Sequence, residues 1–248
     1  MLFRSHRLFR GATTLGITIP YSIAHLEKVI LTLIAKNKLT EGYIRPIVFF
    51  GKGWIKVDPS ECPSTIAIIP FPMKKFIPKT RCEVKISPIR RLHPQSTYHN
   101  EKLSGNYLNS VLAIRDARKS GYDEALLLDH KGYVAEGSAQ NIFFVQDGKL
   151  ITPQKGSILN GITRQSIITI AKDHGLEIIE KKIRKQSLTK FQEAFFTGTA
   201  VGIHSIHSIN NHHFGKKQGP ITTFLSTCYD QITHGRDSHY SHWIQQVK

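Results

Sequence analysis

Apolar and polar positions divide this chain into short strands and helices of moderate length. Residues 124–129 (E-A-L-L-L-D) form a short apolar run ending at His130-Lys131-Gly132, which predicts a buried strand and a turn. Residues 141–145 and 149–152 are two further strands joined by Asp147-Gly148, a pair that tolerates positive φ and so predicts a hairpin. Pro153 is expected to end the second strand. Gly161-Ile162-Thr163-Arg164 then opens a helix carrying Ile167, Ile168, Ile170 and Ala171 and stopping at Gly175. Residues 23–37 read as a helix, and residues 203–209 alternate like a strand. After Lys102, Leu108, Val111, Leu112 and Arg115 are spaced for one buried helix face. The Pro- and Lys-rich stretch from Pro70 to Pro78 reads as a linker.

Four features of this pattern carry chemistry. A helix that opens with Gly161-Ile162-Thr163 offers unpaired backbone N–H groups at the positive end of its dipole, where a phosphate binds readily. Glu136 follows Gly132-Tyr133-Val134-Ala135 in a sequence poor in acids. Lys102 can form a Schiff base with an aldehyde, and Tyr107 lies five residues on. Each has an ordinary alternative when taken alone: a capped helix start, a surface glutamate, a solvated lysine, a half-buried aromatic. Their order does not. Lys102, Tyr107, Glu136, Asn141, Thr152, Gly161-Ile162-Thr163-Arg164 and Thr197-Gly198-Thr199-Ala200 occur in one sequence.

That arrangement resembles the signature of class IV aminotransferases, the pyridoxal-phosphate enzymes of fold type IV. Gly42-Tyr43-Ile44-Arg45-Pro46, Gly121-Tyr122-Asp123-Glu124-Ala125 and the tail with Gly219-Pro220-Ile221-Thr222 resemble branched-chain amino-acid aminotransferases in particular. The resemblance implies pyridoxal 5'-phosphate as cofactor and a ping-pong exchange of amino groups between leucine, isoleucine or valine and 2-oxoglutarate. It implies Lys102 as the Schiff-base lysine and proton shuttle, Glu136 beside the pyridine nitrogen, and Tyr107 at the phenolic oxygen. Arg7, the backbone of Ile162 and Thr163, and Thr199 fall where the family holds the phosphate, and Leu159 where it packs on the ring. The amides of Thr199-Ala200 match the site for the substrate α-carboxylate. Arg45, with Tyr43, matches the site for the second carboxylate of glutamate. A D-amino-acid aminotransferase, an aminodeoxychorismate lyase, or a truncated and poorly active remnant are the alternatives.

The same resemblance implies a mixed α/β fold. Residues 1–76 form a small domain, 77–82 a linker and 83–248 a larger cofactor-binding domain with a mixed or antiparallel sheet or barrel and helices. The chain starts at Met1-Leu2-Phe3-Arg4, close to the family's His-x-x-Arg-Leu helix, so the small domain is expected without the family's first strands. Met73 and Phe76 stand where the family tends to carry Trp and Tyr. Ala200-Val201-Gly202 replaces its usual Ala-Ala-Glu.

Composition adds limits. At 248 residues and 40% hydrophobic, the chain can bury a substantial core. Its three cysteines form no C-x-x-C pair, which argues for a reducing compartment and a cytoplasmic location. A net charge of +16 is dispersed in short clusters, such as Arg90-Arg91, without the aromatic–basic interleaving of a nucleic-acid surface. No nucleic-acid or membrane partner is expected. Small-molecule substrates and a second copy of the chain, as homodimer or higher homo-oligomer, are. His204 and His207 lie three apart on a strand and so on opposite faces, so no metal site is expected.

Overall fold

The computed structural model describes residues 2–53, 56–73, 81–215, 217–245 and 247. The chain divides into two compact units, Met1–Phe76 with His239–Lys248, and Ile77–Ser238. Residues 239–248, expected with the large domain, therefore cluster with the small one. Residues 77–80 of the expected linker, and Phe76, lie outside the described residues; Arg81 and Cys82 already belong to a strand.

The first unit contains helices α1 (Leu2–Thr14) and α2 (Ile23–Lys36) and the strands β1 (Gly42–Phe50) and β2 (Ser64–Pro72). Ser22 caps α2, its Oγ accepting from the His25 N–H at 3.1 Å. Leu26 and Ile30, one turn apart, are the buried stripe of α2. The Ser5 hydroxyl donates to Glu27 Oε1 at 2.9 Å and ties α1 to α2. Strands β1 and β2 pair antiparallel from Gly42↔Pro72 to Phe50↔Ser64.

The second unit is built on a mixed nine-stranded sheet: β3 (Arg81–Ile86), β4 (Glu124–Leu128), β5 (Val134–Gly137), β6 (Asn141–Gln146), β7 (Lys149–Pro153), β8 (Ile178–Lys181), β9 (Glu193–Gly198), β10 (Gly202–Ile209) and β11 (His212–His213). Their order is β5-β4-β3-β10-β9-β6-β7-β8, with β11 on β10. The pairs β3–β4, β3–β10 and β7–β8 are parallel and the others antiparallel. Helices α3 (Tyr107–Lys119), α4 (Ile162–Asp173) and α5 (Pro220–Thr233) complete the unit. The mixed α/β architecture is the one the sequence predicts.

Strand β4 is buried throughout, and its packing partners alternate with the two-residue period of a strand. Leu126 and Leu128 of β4 join a large core with Ile142, Phe144, Phe196 and Ile206, whereas Ala125 and Leu127 face Ala113 and Ala117 of α3. Asp147 (φ 50°) and Gly148 (φ 76°) make the tight turn between β6 and β7. Glu193 of β9 holds the start of α5: its carboxylate accepts from the Ile221 and Thr222 N–H groups at 3.2 and 2.8 Å and from the Thr222 hydroxyl at 2.6 Å.

One strand end shifts by a residue and one helix face is corrected. Pro153 ends β7, as the last residue of the strand rather than the first beyond it. It lies beyond the ladder with β6 and pairs only with Lys181 of β8, so its missing N–H leaves no bond unmade. The buried stripe of α3 is Ser110, Ala113 and Ala117, not Leu108, Val111 and Leu112, which are 68%, 46% and 48% exposed. Small side chains let the helix backbone approach β4 closely, and the bulky stripe is turned outward.

Candidate functional site

Glu136 is the centre of the constellation in the second unit. Strand β5 places it opposite Leu127, and the residue is 5% exposed. Its Oε1 accepts from Arg91 Nη2 at 2.7 Å, with each side chain 7% exposed. Its Oε2 accepts from Asn141 Nδ2 and from the Leu159 N–H, both at 3.1 Å. Arg91 is fixed in turn by its own N–H, which donates to the Leu128 carbonyl of β4 at 2.8 Å. Burial pushes the Glu136 carboxyl up to about 7, against the pull of Arg91, the Leu159 N–H, Lys102 and Arg164. Nearby, burial and then the Arg91 charge lower the pKa of His99 and favour its neutral form.

Lys102 stands just before a short 3₁₀ turn, Ser104–Asn106, that leads into α3. Its Nζ meets the hydroxyl of Tyr107, the first residue of that helix. Lys102, Tyr107, Glu136 and Leu159 line one pocket, together with Arg91 and His99. A lysine amine, a phenol and a buried carboxylate thus share one cavity wall although they lie far apart in sequence.

Asn141, the first residue of β6, links this cavity to α4. Its Nδ2 donates both to Glu136 and to the Leu159 carbonyl, the latter at 2.8 Å. A Cβ on Gly161 would lie 2.2 Å from Asn141 Oδ1, so only glycine fits against the amide. Gly161 is the N-cap of α4 and offers no side-chain cap. Ile162 is half-buried and Thr163 buried, with its hydroxyl 3.4 Å from the Tyr229 hydroxyl of α5. Arg164 anchors the first turn: it is 1% exposed and donates to the Pro153 carbonyl at 2.9 Å and to Glu180 at 2.7 Å.

Ile162, Thr163, Thr199 and Ala200 belong to the same unit but are not among the residues lining that pocket. Thr199 and Ala200 form the turn between β9 and β10, which closes at Gly202 with φ 60°. Arg7, Tyr43 and Arg45 are in the other unit. Arg7 is half-buried on α1. Tyr43 pairs across β1–β2 with Phe71, and Arg45 places its guanidinium carbon 5.4 Å and 5.8 Å from those two rings. Among the described residues no group of three His, Cys, Asp or Glu side chains could hold a metal ion, and no helix is long and apolar enough to cross a membrane.

Arg91 and His99 were not found from the sequence. Arg91 stood only as half of a dibasic pair. The available signal was indirect: a lone buried acid needs a countercharge.

Known proteins share the sequence pattern and the fold of this chain. The model of the family "Amino-transferase class IV" matches residues 5–209. The branched-chain-amino-acid aminotransferase of Pseudomonas aeruginosa is 34% identical over 247 residues, spanning 98% of this chain and 80% of that protein. The crystal structure of a branched-chain aminotransferase from the archaeon Thermoproteus uzoniensis, determined with norvaline, superimposes with a TM-score of 0.94 at 36% identity, covering 98% of this chain and 82% of that one. The branched-chain amino acid aminotransferase of Thermobaculum terrenum, solved in its PLP-form, gives a TM-score of 0.93 at 30% identity, covering 98% of this chain and 81% of that one. With most of its length inside the family's pattern and its fold reproduced by solved relatives, this chain belongs to the class IV aminotransferases.

Proposed function

We propose that this chain transfers the α-amino group of leucine, isoleucine and valine to 2-oxoglutarate, with pyridoxal 5'-phosphate as its resident cofactor. The observation that carries the reading is the buried Glu136 carboxylate, held by Arg91, Asn141 and the Leu159 N–H in the same pocket as Lys102 and Tyr107. These residues fit the cofactor. A pyridine nitrogen needs an anion that is fixed and dry, an aldehyde needs a lysine amine, and a phenolic oxygen needs a hydroxyl partner. When bound, the cofactor supplies an electron sink for the carbanion formed at the substrate Cα.

The protein's own groups then have distinct tasks. Glu136 keeps the ring nitrogen protonated, since an opposite charge at hydrogen-bond distance draws the carboxyl back to its anion. Arg91 and Asn141 hold that carboxylate still. Lys102 carries the cofactor and moves a proton between the substrate Cα and the cofactor C4′. Tyr107 holds the phenolic oxygen and touches the lysine amine. Leu159 packs on the ring, the Ile162 and Thr163 amides with Thr199 and Arg7 receive the phosphate, and the Thr199-Ala200 amides receive the substrate carboxylate. Tyr43 and Arg45 take the substrate side chain or its second carboxylate. Support for these last assignments is the match of each residue to the family pattern.

A homodimer or larger homo-oligomer belongs to the same proposal, and its support is the exposed Leu108, Val111 and Leu112 of α3. Cys62, Cys82 and Cys228 are free thiols, which fits a cytoplasmic setting. The test is direct: purified protein, cofactor, leucine and 2-oxoglutarate should yield glutamate. Amino transfer from D-alanine but not from leucine would overturn the substrate assignment.

A further inference from the structure

Glu124, at the start of β4, is buried at 9% exposure and lies outside the cluster around Glu136. Apart from the adjacent Ala125 N–H at 2.7 Å, its hydrogen bonds go to one short segment. Its Oε1 accepts from the Ser138 N–H at 3.3 Å, and its Oε2 accepts from Gln140 Nε2 at 2.8 Å. That segment is the turn between β5 and β6, closed on itself by the Gly137 N–H donating to the Gln140 carbonyl at 2.7 Å. Glu136 stands just before the turn and Asn141 just after it. Ser138 and Gln140 also line the pocket.

One short stretch therefore has two sides. Outside, Glu124 grips it by a backbone amide and a side-chain amide. Inside, it presents the Glu136 carboxylate and the Asn141 amide that donates to it. Burying a carboxylate is costly unless its oxygens are satisfied, and here two of the three donors come from the turn itself. An apolar side chain at position 124 would leave the Ser138 N–H and the Gln140 amide without this acceptor.

We propose that Glu124 is a positioning residue for amino transfer: through Ser138 and Gln140 it fixes the β5–β6 turn and so keeps the Asn141 amide on the Glu136 carboxylate. The inference rests on the cofactor reading above. It assigns Glu124 no contact with substrate or cofactor, in keeping with the general behaviour of outer partners that orient a working group.

Three full-chain variants test it: Glu124→Gln, Gln140→Glu and the double swap E124Q/Q140E. The first sets amide against amide and the second sets carboxylate against carboxylate, whereas the swap restores one of each. The readouts are thermal midpoint, the pyridoxal phosphate dissociation constant of the cofactor-free protein, and the acid limb of the kcat–pH profile. Gln140→Glu, which removes the donor outright, should weaken cofactor binding roughly tenfold, and Glu124→Gln, whose neutral oxygen still accepts, by less. The acid limb should move to higher pH, because Glu136 would keep Arg91, Lys102 and Arg164 around it and the Leu159 N–H on it but lose the Asn141 amide. The swap should recover both properties, and it carries the test where a single variant does not fold. A lowered thermal midpoint with unchanged cofactor affinity and unchanged acid limb would overturn the proposal, as would a swap that binds cofactor no better than the single variants. Wild-type protein that binds no pyridoxal phosphate would instead overturn the cofactor reading and this inference with it.

Discussion

Arg91 Nη2 donates to Glu136 Oε1 at 2.7 Å with both side chains almost wholly removed from solvent. A buried ion pair of this kind adds little net stability, because desolvation offsets the attraction. What it provides is direction. One carboxylate oxygen is committed to Arg91 and the other to Asn141 and Leu159, so the group cannot turn.

The acidity of Glu136 gives the first prediction. Its folded pKa of about 7 lies above the ordinary 4.5, so the folded carboxyl keeps a proton that the unfolded chain releases. This contribution to stability is complete below pH 4.5 and lost as pH rises through about 7, on the order of 3 kcal/mol. In cofactor-free Glu136→Gln the decline should be absent. Urea unfolding of both proteins across this window checks it, and parallel pH curves would contradict it.

Removing the countercharge should be worse than removing the pair. Arg91→Met leaves a buried carboxylate without its cation and should cost roughly 3–5 kcal/mol, the usual penalty for breaking a buried ion pair from one side. Arg91→Met combined with Glu136→Gln should regain part of that loss. Equilibrium unfolding of the single and double variants measures the coupling directly.

Lysine specificity is a separate matter. Lys102→Ala should abolish the visible band of lysine-bound cofactor, while Lys119→Ala leaves it intact. Lys119 ends α3 on the same helix-containing segment but is absent from the pocket lining. Indistinguishable spectra from the two variants would remove Lys102 from its role.

The outward stripe of α3 predicts association. Leu108→Glu with Leu112→Lys should shift the sedimentation coefficient to that of a monomer while helix content stays constant. An unchanged coefficient would mean that another surface makes the oligomer.

How far the sequence foretold all this depends on the range of each interaction. The β6–β7 hairpin was legible because Asp147 and Gly148 satisfy a local demand for positive φ. Lys102, Tyr107, Glu136 and Leu159 were legible through a motif, and the fold brings them to one pocket. Arg91 was not legible, since it reaches Glu136 only after β3, β4 and β5 pair into adjacent strands. The face of α3 was misread because two stripes of helical spacing compete on it. Bulk favours Leu108, Val111 and Leu112, but close approach to β4 selects Ser110, Ala113 and Ala117. Glu124 is legible in the sequence as the start of a strand and as part of a family-like segment; its grip on Ser138 and Gln140 is a property of the folded sheet.

The proposed function depends on Lys102, Tyr107 and Glu136 forming a working cofactor site for amino transfer from branched-chain substrates. An absorption spectrum of the purified protein with pyridoxal phosphate, followed by leucine, is the decisive check. The expected result is a visible band on cofactor binding that gives way to the pyridoxamine form when leucine is added. No visible band would contradict the cofactor site itself, and a band indifferent to leucine would contradict the assigned substrate.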